Sequence, residues 1–313
     1  MHPQARERPN PTRRKYVWLH IVVVVLTLSI ALTAATAPVP FVAAPIAPPI
    51  RGADISSTLR QESAGTTVTA DGAQMEVEQV LAAAGANYVR LRIWVDPPAG
   101  HSDEASALIL ARRARAAGLK VLINLHYSDS WADPENQAIP AAWQGQDLAT
   151  LAETVRGYTQ RVVSDFAAQG TPVDMVQIGN EITWGMLWPV GAVYLEHGER
   201  WQAMATLLNA GIAGVRAATP VGHSTAVMLH SERSGDAQGA RHFYDSVITA
   251  GVTDFDVIGL SYYPFWHGSL ATLQATLRGC LRTHEHGRRG GVRGCGVLVR
   301  VGRCRADVPT LRT

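Results

Sequence analysis

From residue 51 to residue 277 the chain has no cysteine; all three lie later, at Cys280, Cys295 and Cys304. Disulfide stapling, thiol catalysis and cysteine-type zinc sites are excluded from that long stretch. Aromatic residues are scarce at 7% and charged residues at 17%, while 28 Gly and 17 Pro in 313 residues fall short of a collagen-like or low-complexity chain. No Gly-rich phosphate or dinucleotide loop follows any β-rich run. The whole chain also lacks a strong excess of either charge, at net +2, but that sum conceals three segments: +4 over residues 1–50, −9 over 51–277 and +7 over 278–313. The one region long enough to be a domain is acidic, which argues against nucleic acid as a partner. What is present is apolar material, 47% of residues, enough for a large core.

The ends differ from the middle. A basic stretch closing on Arg13-Arg14-Lys15, an apolar run over residues 16–35 and the small residues Ala34-Ala35-Thr36-Ala37-Pro38 read as an export signal over residues 1–37. The expectation is a secreted, extracellular, monomeric protein that meets a membrane only through this signal; left uncleaved, the apolar run would be an anchor. Prolines 38, 40, 45, 48 and 49 make residues 38–49 an extended linker, and the folded domain should start near Ile50. From residue 278 to 313 the composition turns to Arg, Gly and Cys without helical period, only Val297-Leu298-Val299 resembling a strand; this tail is expected to be disordered.

Between these ends, β-rich runs alternate with helical stretches. Strands are expected at 50–55, 88–94, 120–126, 174–179, 225–230 and 256–262, with helices at about 75–84, 103–117, 148–169, 199–217 and 241–250. Each strand is apolar enough to be buried on both faces, as parallel sheets require. A doubly wound sheet and a (β/α)8 TIM barrel both accept the pattern. The polar residues favour the barrel: Asp54, Arg92, His126, Asn180, Glu181, His230, Tyr262 and Tyr263 all fall at or near C-terminal strand ends, which in a barrel form one rim. The domain is therefore read as a barrel over residues 50–277 with strands one to six recognisable and strands seven and eight missing or out of frame.

At the fourth strand's end, Gly179-Asn180-Glu181 sets an amide beside a carboxylate. Glycosidic cleavage uses such a pair: a carboxylic acid protonates the leaving oxygen while the amide binds the sugar 2-hydroxyl. Alone the pair is weak evidence, since a Glu at that point also serves as a helix N-terminal charge. The tryptophans add to it. Trp131, Trp188 and Trp266 fall in loops after strands, where indoles stack on sugar rings, whereas Trp201, inside a helix, reads as core. Arg92 and His126, on adjacent strand ends, are suited to orient carboxylates and hold their charge states apart.

Five ordered motifs carry a resemblance: Gly52-Ala53-Asp54-Ile55-Ser56-Ser57, Val89-Arg90-Leu91-Arg92-Ile93-Trp94-Val95-Asp96-Pro97, His126-Tyr127-Ser128-Asp129-Ser130-Trp131-Ala132-Asp133-Pro134, Gly179-Asn180-Glu181-Ile182-Thr183 with Gly185-Met186-Leu187-Trp188-Pro189, and Ile258-Gly259-Leu260-Ser261-Tyr262-Tyr263-Pro264. Together they resemble the arabinogalactan endo-β-1,4-galactanases of glycoside hydrolase family 53. The resemblance implies a retaining endo-glycosidase acting on β-1,4-galactan side chains of pectin. It makes Glu181 the acid/base, Asn180 its sugar-binding neighbour, and Arg92, His126 and Tyr262 polar residues around the cleaved sugar. Asn124 stands where the pattern leads one to expect Asp. Some relatives bind calcium in late barrel loops; no cofactor is expected here and no residue is assigned to a metal. A retaining enzyme also needs a nucleophilic carboxylate, in this family a Glu ending a valine run on strand seven, and no such run occurs. Glu285, the sole Glu of the tail, sits in Thr283-His284-Glu285-His286-Gly287, a poor match. The Arg/Gly/Cys bias is what GC-rich DNA gives when read out of frame. The alternative to an active galactanase is thus a truncated or frame-shifted, inactive galactan-binding remnant.

Overall fold

The computed structural model describes residues 50–70, 72–285 and 294–299. The expected signal and linker, and the tail at 286–293 and 300–313, lie outside the described residues. Those described belong to the unit that begins at Ile50.

Seven parallel strands make the main sheet: β1 (Gly52–Asp54), β2 (Tyr88–Ile93), β3 (Lys120–Leu125), β4 (Met175–Ile178), β5 (Ala226–Ser231), β6 (Val257–Tyr262) and β7 (Gly294–Val299). Each pairs with the next in chain order and none is skipped. A doubly wound sheet reverses direction at a switch point. Continuous winding without reversal is the barrel's signature. The helices α1 (Thr58–Ser63), α2 (Val77–Ala83), α3 (Glu104–Ala116), α4 (Leu148–Ala168), α5 (Trp201–Ala218), α6 (Ala237–Thr249), α7 (Pro264–His267) and α8 (Leu270–Glu285) lie between strands.

Punctuation by single residues explains the boundaries. The carboxylates of Asp103, Asp147 and Asp236 accept from backbone N–H groups in the first turns of α3, α4 and α6, satisfying donors a helix start leaves open. Left-handed Gly85, Gly118, Gly170 and Gly251 stop α2, α3, α4 and α6.

Alternation along the strands separates two cores. Val89, Leu91, Ile93, Val121, Ile123, Leu125, Val176, Ile178, Val227, Leu229, Ile258 and Leu260 face the helices in one large cluster. Leu122, Met175, Met228 and Val257 form a small second cluster inside the curl, with Tyr88 and Ala226 against it. Above that apolar floor, the same inward parity presents Arg90, Arg92, Asn124, Gln177, His230 and Ser261, all buried. Gly259 makes room for this row: a Cβ there would lie 2.6 Å from the Met228 sulfur and 3.2 Å from the His230 ring.

The disorder expected from residue 278 is corrected in two places. Helix α8 continues through Glu285, and Gly294–Val299 forms β7, paired with all of β6 from Val257↔Gly294 to Tyr262↔Val299. The β-branched pair Val297 and Val299 suits a strand, and β6 without it would present an open edge. The segment carries no carboxylate, and among the described residues no eighth strand joins this sheet. None of the described helices is long and apolar enough to cross a membrane.

Candidate active site

Arg90 ties the C-terminal ends of β1, β2 and β4 together. Its Nη1 donates to Asp54 Oδ2 at 2.6 Å, its Nη2 to Asn180 Oδ1 at 3.0 Å, and Nε and Nη2 both reach Gln177 Oε1 at 3.2 Å. Burial pushes the Asp54 carboxyl up, but the Arg90 and Arg92 charges and two hydrogen bonds from Ser56 outweigh it and hold the group below its ordinary value. Arg92 stands beside them, its Nη1 3.7 Å from Asp54, its Nε donating to Ser102 Oγ at 3.2 Å and its guanidinium 4.0 Å from the centre of the Trp131 ring.

The Asn180 amide is oriented by four contacts. Its Oδ1 also accepts from Asn124 and Gln177, each at 3.3 Å, while its Nδ2 donates to the Ala132 carbonyl at 2.8 Å. His126, 1% exposed, accepts the Ala132 N–H on Nδ1 at 3.0 Å, which leaves its own ring proton on Nε2. Its ring meets Trp131 edge-on at 5.6 Å and Trp94 at 6.3 Å.

Glu181 has left-handed backbone, φ 51°, unusual for a residue with a Cβ. The bend sends its N–H to His230 Nδ1 at 3.3 Å, and its Oε1 accepts the Ser261 hydroxyl at 2.5 Å. Gln177 Nε2 also meets His230 Nδ1, at 3.0 Å, and His230 Nε2 lies 3.0 Å from Ser261 Oγ. A second carboxylate, Glu232, follows β5. It accepts from Thr183 Oγ1 at 2.7 Å and pairs with Arg233 at 3.1 Å; burial raises its carboxyl above the ordinary value, and the nearby Glu181 charge adds to the rise. Among the described residues no group of His, Cys, Asp and Glu is arranged to hold a metal ion.

The structure thus brings together Asp54, Arg92, His126, Trp131, Asn180 and Glu181. It turns Tyr262 away: this side chain has the outward parity of Ile258 and Leu260, is 2% exposed, and donates its hydroxyl to the Gly268 carbonyl at 2.7 Å. Ser261, one residue earlier and of inward parity, stands at the carboxylate instead. Trp131 is half-buried with the Arg92 guanidinium over its ring. Trp188 is half-buried, linked to Asn180 through Gln137, which accepts the Trp188 N–H and donates to the Asn180 carbonyl. Trp266, 70% exposed, packs on Tyr263 beside the 90% exposed Phe265, and contributes to no contact of the Glu181 cluster described above. Arg90, Gln177 and Ser261 are the residues that sequence reading missed. The signal was available: Arg90 is two residues from Arg92 in a strand, and Gln177 keeps the parity of Met175.

Comparison with known proteins agrees with this geometry. Residues 50–287 match the profile of Glycosyl hydrolase family 53. The probable arabinogalactan endo-β-1,4-galactanase A of Aspergillus terreus is 44% identical over 234 residues, covering 72% of this chain and 64% of that protein. The arabinogalactan endo-β-1,4-galactanase A of Aspergillus niger is 38% identical over 237 residues, covering 72% and 65%. The chain therefore spans about 64% of the length of such relatives. A solved fungal β-1,4-galactanase superposes with TM-score 0.70 at 36% identity, over 75% of this chain and 70% of that one. The family 53 catalytic domain of Ignisphaera aggregans does so with TM-score 0.70 at 33% identity, over 79% and 67%. With the profile running through every strand end that contributes to the rim, the chain belongs to glycosyl hydrolase family 53.

Proposed function

We propose that the protein is an exported endo-β-1,4-galactanase that binds galactan along the barrel rim, with Glu181 as acid/base and Asn180 holding the sugar beside it. The observation that carries this reading is the Asn180–Glu181 pair itself: an amide oriented by Arg90, Asn124 and Gln177 next to a carboxyl gripped by Ser261. Arg92, His126 and Trp131 pack together beside Asp54, and Trp188 and Trp266 would extend the surface available to further sugar rings. The names of the fungal relatives support galactan as the substrate class.

In the proposed reaction Glu181 gives its proton to the glycosidic oxygen as the C–O bond to the anomeric carbon breaks and a nucleophile on the opposite face bonds that carbon; Glu181 later takes a proton from the water that displaces the nucleophile. Replacing Glu181 by Gln should lower release of reducing ends from unsubstituted β-1,4-galactan by about 10²–10⁴-fold. Aryl galactobiosides with very good leaving groups need no protonation and should lose much less. Equal losses on both substrates would remove Glu181 from the acid role, and failure to bind galactan at all would remove the substrate.

A further inference from the structure

The orientation of three side chains behind Glu181 follows from one residue that can only donate. Arg90 has no acceptor, so the Gln177 atom it contacts twice is the carbonyl oxygen, and the amide nitrogen of Gln177 is the atom that faces His230 Nδ1. That nitrogen and the Glu181 N–H both donate to Nδ1. His230 therefore keeps its proton on Nε2, which donates to Ser261 Oγ at 3.0 Å. With one of its two lone pairs so engaged, the Ser261 hydroxyl donates its own proton to Glu181 Oε1 at 2.5 Å. All four groups are buried, with Gln177 0%, His230 2%, Ser261 5% and Arg90 6% exposed, so bulk water does not compete for these bonds.

We propose that His230 and Ser261 are positioning residues that hold the Glu181 carboxyl with Oε1 as acceptor, so that the proton Glu181 delivers is carried on Oε2. A proton on Oε1 would confront the Ser261 hydroxyl proton across a hydrogen-bond distance. When the glycosidic oxygen takes the proton, the Oε2–H bond breaks, the negative charge spreads over both carboxylate oxygens, and the Ser261 bond to Oε1 strengthens because its acceptor has become an anion. The hydroxyl thus stabilises the state that proton transfer creates. Among the described residues, the charged and titratable groups on the elements around this carboxyl are His230 on β5, Glu232 with Arg233 after β5, Arg92 and His126 at the ends of β2 and β3 and, behind Asn180, Arg90 paired with Asp54. The inference rests on the acid/base assignment for its catalytic consequence, but the hydrogen-bond relay is measurable without turnover.

The test is a carbon-13 NMR titration of the full chain labelled at glutamate Cδ, with the Glu181 resonance identified by its loss in Glu181→Gln. Removing the donor in Ser261→Ala should move the Glu181 titration to higher pH, because the carboxylate form loses its hydrogen bond. Ser261→Thr, which keeps the hydroxyl, should titrate near the native protein. Should the alanine variant fail to fold, Ser261→Cys keeps the shape with a much weaker donor and should shift in the same direction. An unchanged Glu181 midpoint in the Ala or Cys variant would overturn the proposal. On galactan, kcat of Ser261→Ala should fall about ten- to a hundredfold with KM little changed, the size expected for one lost bond to a charged group. The two readings fail separately: a shifted titration without galactan cleavage keeps the relay and sinks the galactanase, whereas cleavage with an unshifted titration does the reverse.

Discussion

Asp54 carries a charge that its surroundings would suppress were Arg90 and Arg92 absent. The lowered carboxyl has a definite consequence for acid stability. In the unfolded chain it titrates at its ordinary value of 3.8, and in the folded protein it titrates below that. The folded state therefore binds fewer protons in this range, so the ion pairs contribute fully above the ordinary value and their contribution is lost as pH falls through the lowered one. Asp54→Asn should be less stable than the native protein at neutral pH, and the gap should close below about pH 4. Denaturant midpoints measured across that range check it; a gap that widens on acidification would contradict the assignment. Arg90→Met should cost more, about 3–5 kcal/mol, because it leaves a buried carboxylate without its main partner and releases the Gln177 and Asn180 amides together.

At the scale of elements, α4 and α5 pack so closely that one glycine cannot be enlarged. A Cβ on Gly214 of α5 would lie 2.6 Å from the Arg156 carbonyl oxygen and 2.8 Å from Thr159 Cβ on α4. Gly157, on the exposed side of α4, has nothing within 4 Å of the same added atom. Glycine-to-alanine should therefore have opposite signs at the two sites: a loss of about 1–3 kcal/mol at 214 from overpacking, and a gain of roughly 0.5–1 kcal/mol at 157 from a less flexible unfolded chain. Thermal or urea unfolding of both variants decides it. Elements such as these were largely legible in the sequence. Strands β2 to β6 are β-branched runs closed by helix-stopping glycines and Asp caps, signals that depend on neighbours in the chain alone. Of the candidate site, the residues that a motif names, Asn180, Glu181, Arg92 and His126, could be picked from the sequence. The site was not legible where strand parity had to be followed through: Tyr262 was placed at the rim by motif although it alternates with Ile258 and Leu260 towards the helices, and Ser261 was passed over. Gln177 and Arg90 escaped because their contacts join residues 87 positions apart, a proximity that only the curled row of strands creates.

On the scale of the whole molecule, seven strands follow one another round the sheet, and the carboxylates at their C-terminal ends limit what chemistry the rim can perform. Asp54 is committed to Arg90, and Glu232 to Thr183 and Arg233. Among the described residues, Glu181 is held by Ser261 beside Asn180, and β7 ends in Val-Leu-Val. Retaining hydrolysis of the proposed substrate needs a second carboxylate about 5–5.5 Å from the acid, on the opposite face of the sugar. Where such a carboxylate is lacking, that face has space for a small anion. Azide should then attack the anomeric carbon of a dinitrophenyl β-galactobioside as the phenolate leaves, forming the C–N bond as the C–O bond breaks. The expected results are turnover that rises with azide concentration and a product of inverted configuration, the α-galactobiosyl azide. The acceleration should survive Glu181→Gln, since this leaving group departs without a proton. Should azide leave the rate unchanged while the native chain transfers the sugar to methanol with retained β configuration, a carboxylate of the chain is already acting there. Glu232→Gln, assayed on the same substrate, would then show whether the residue after β5 has taken that part.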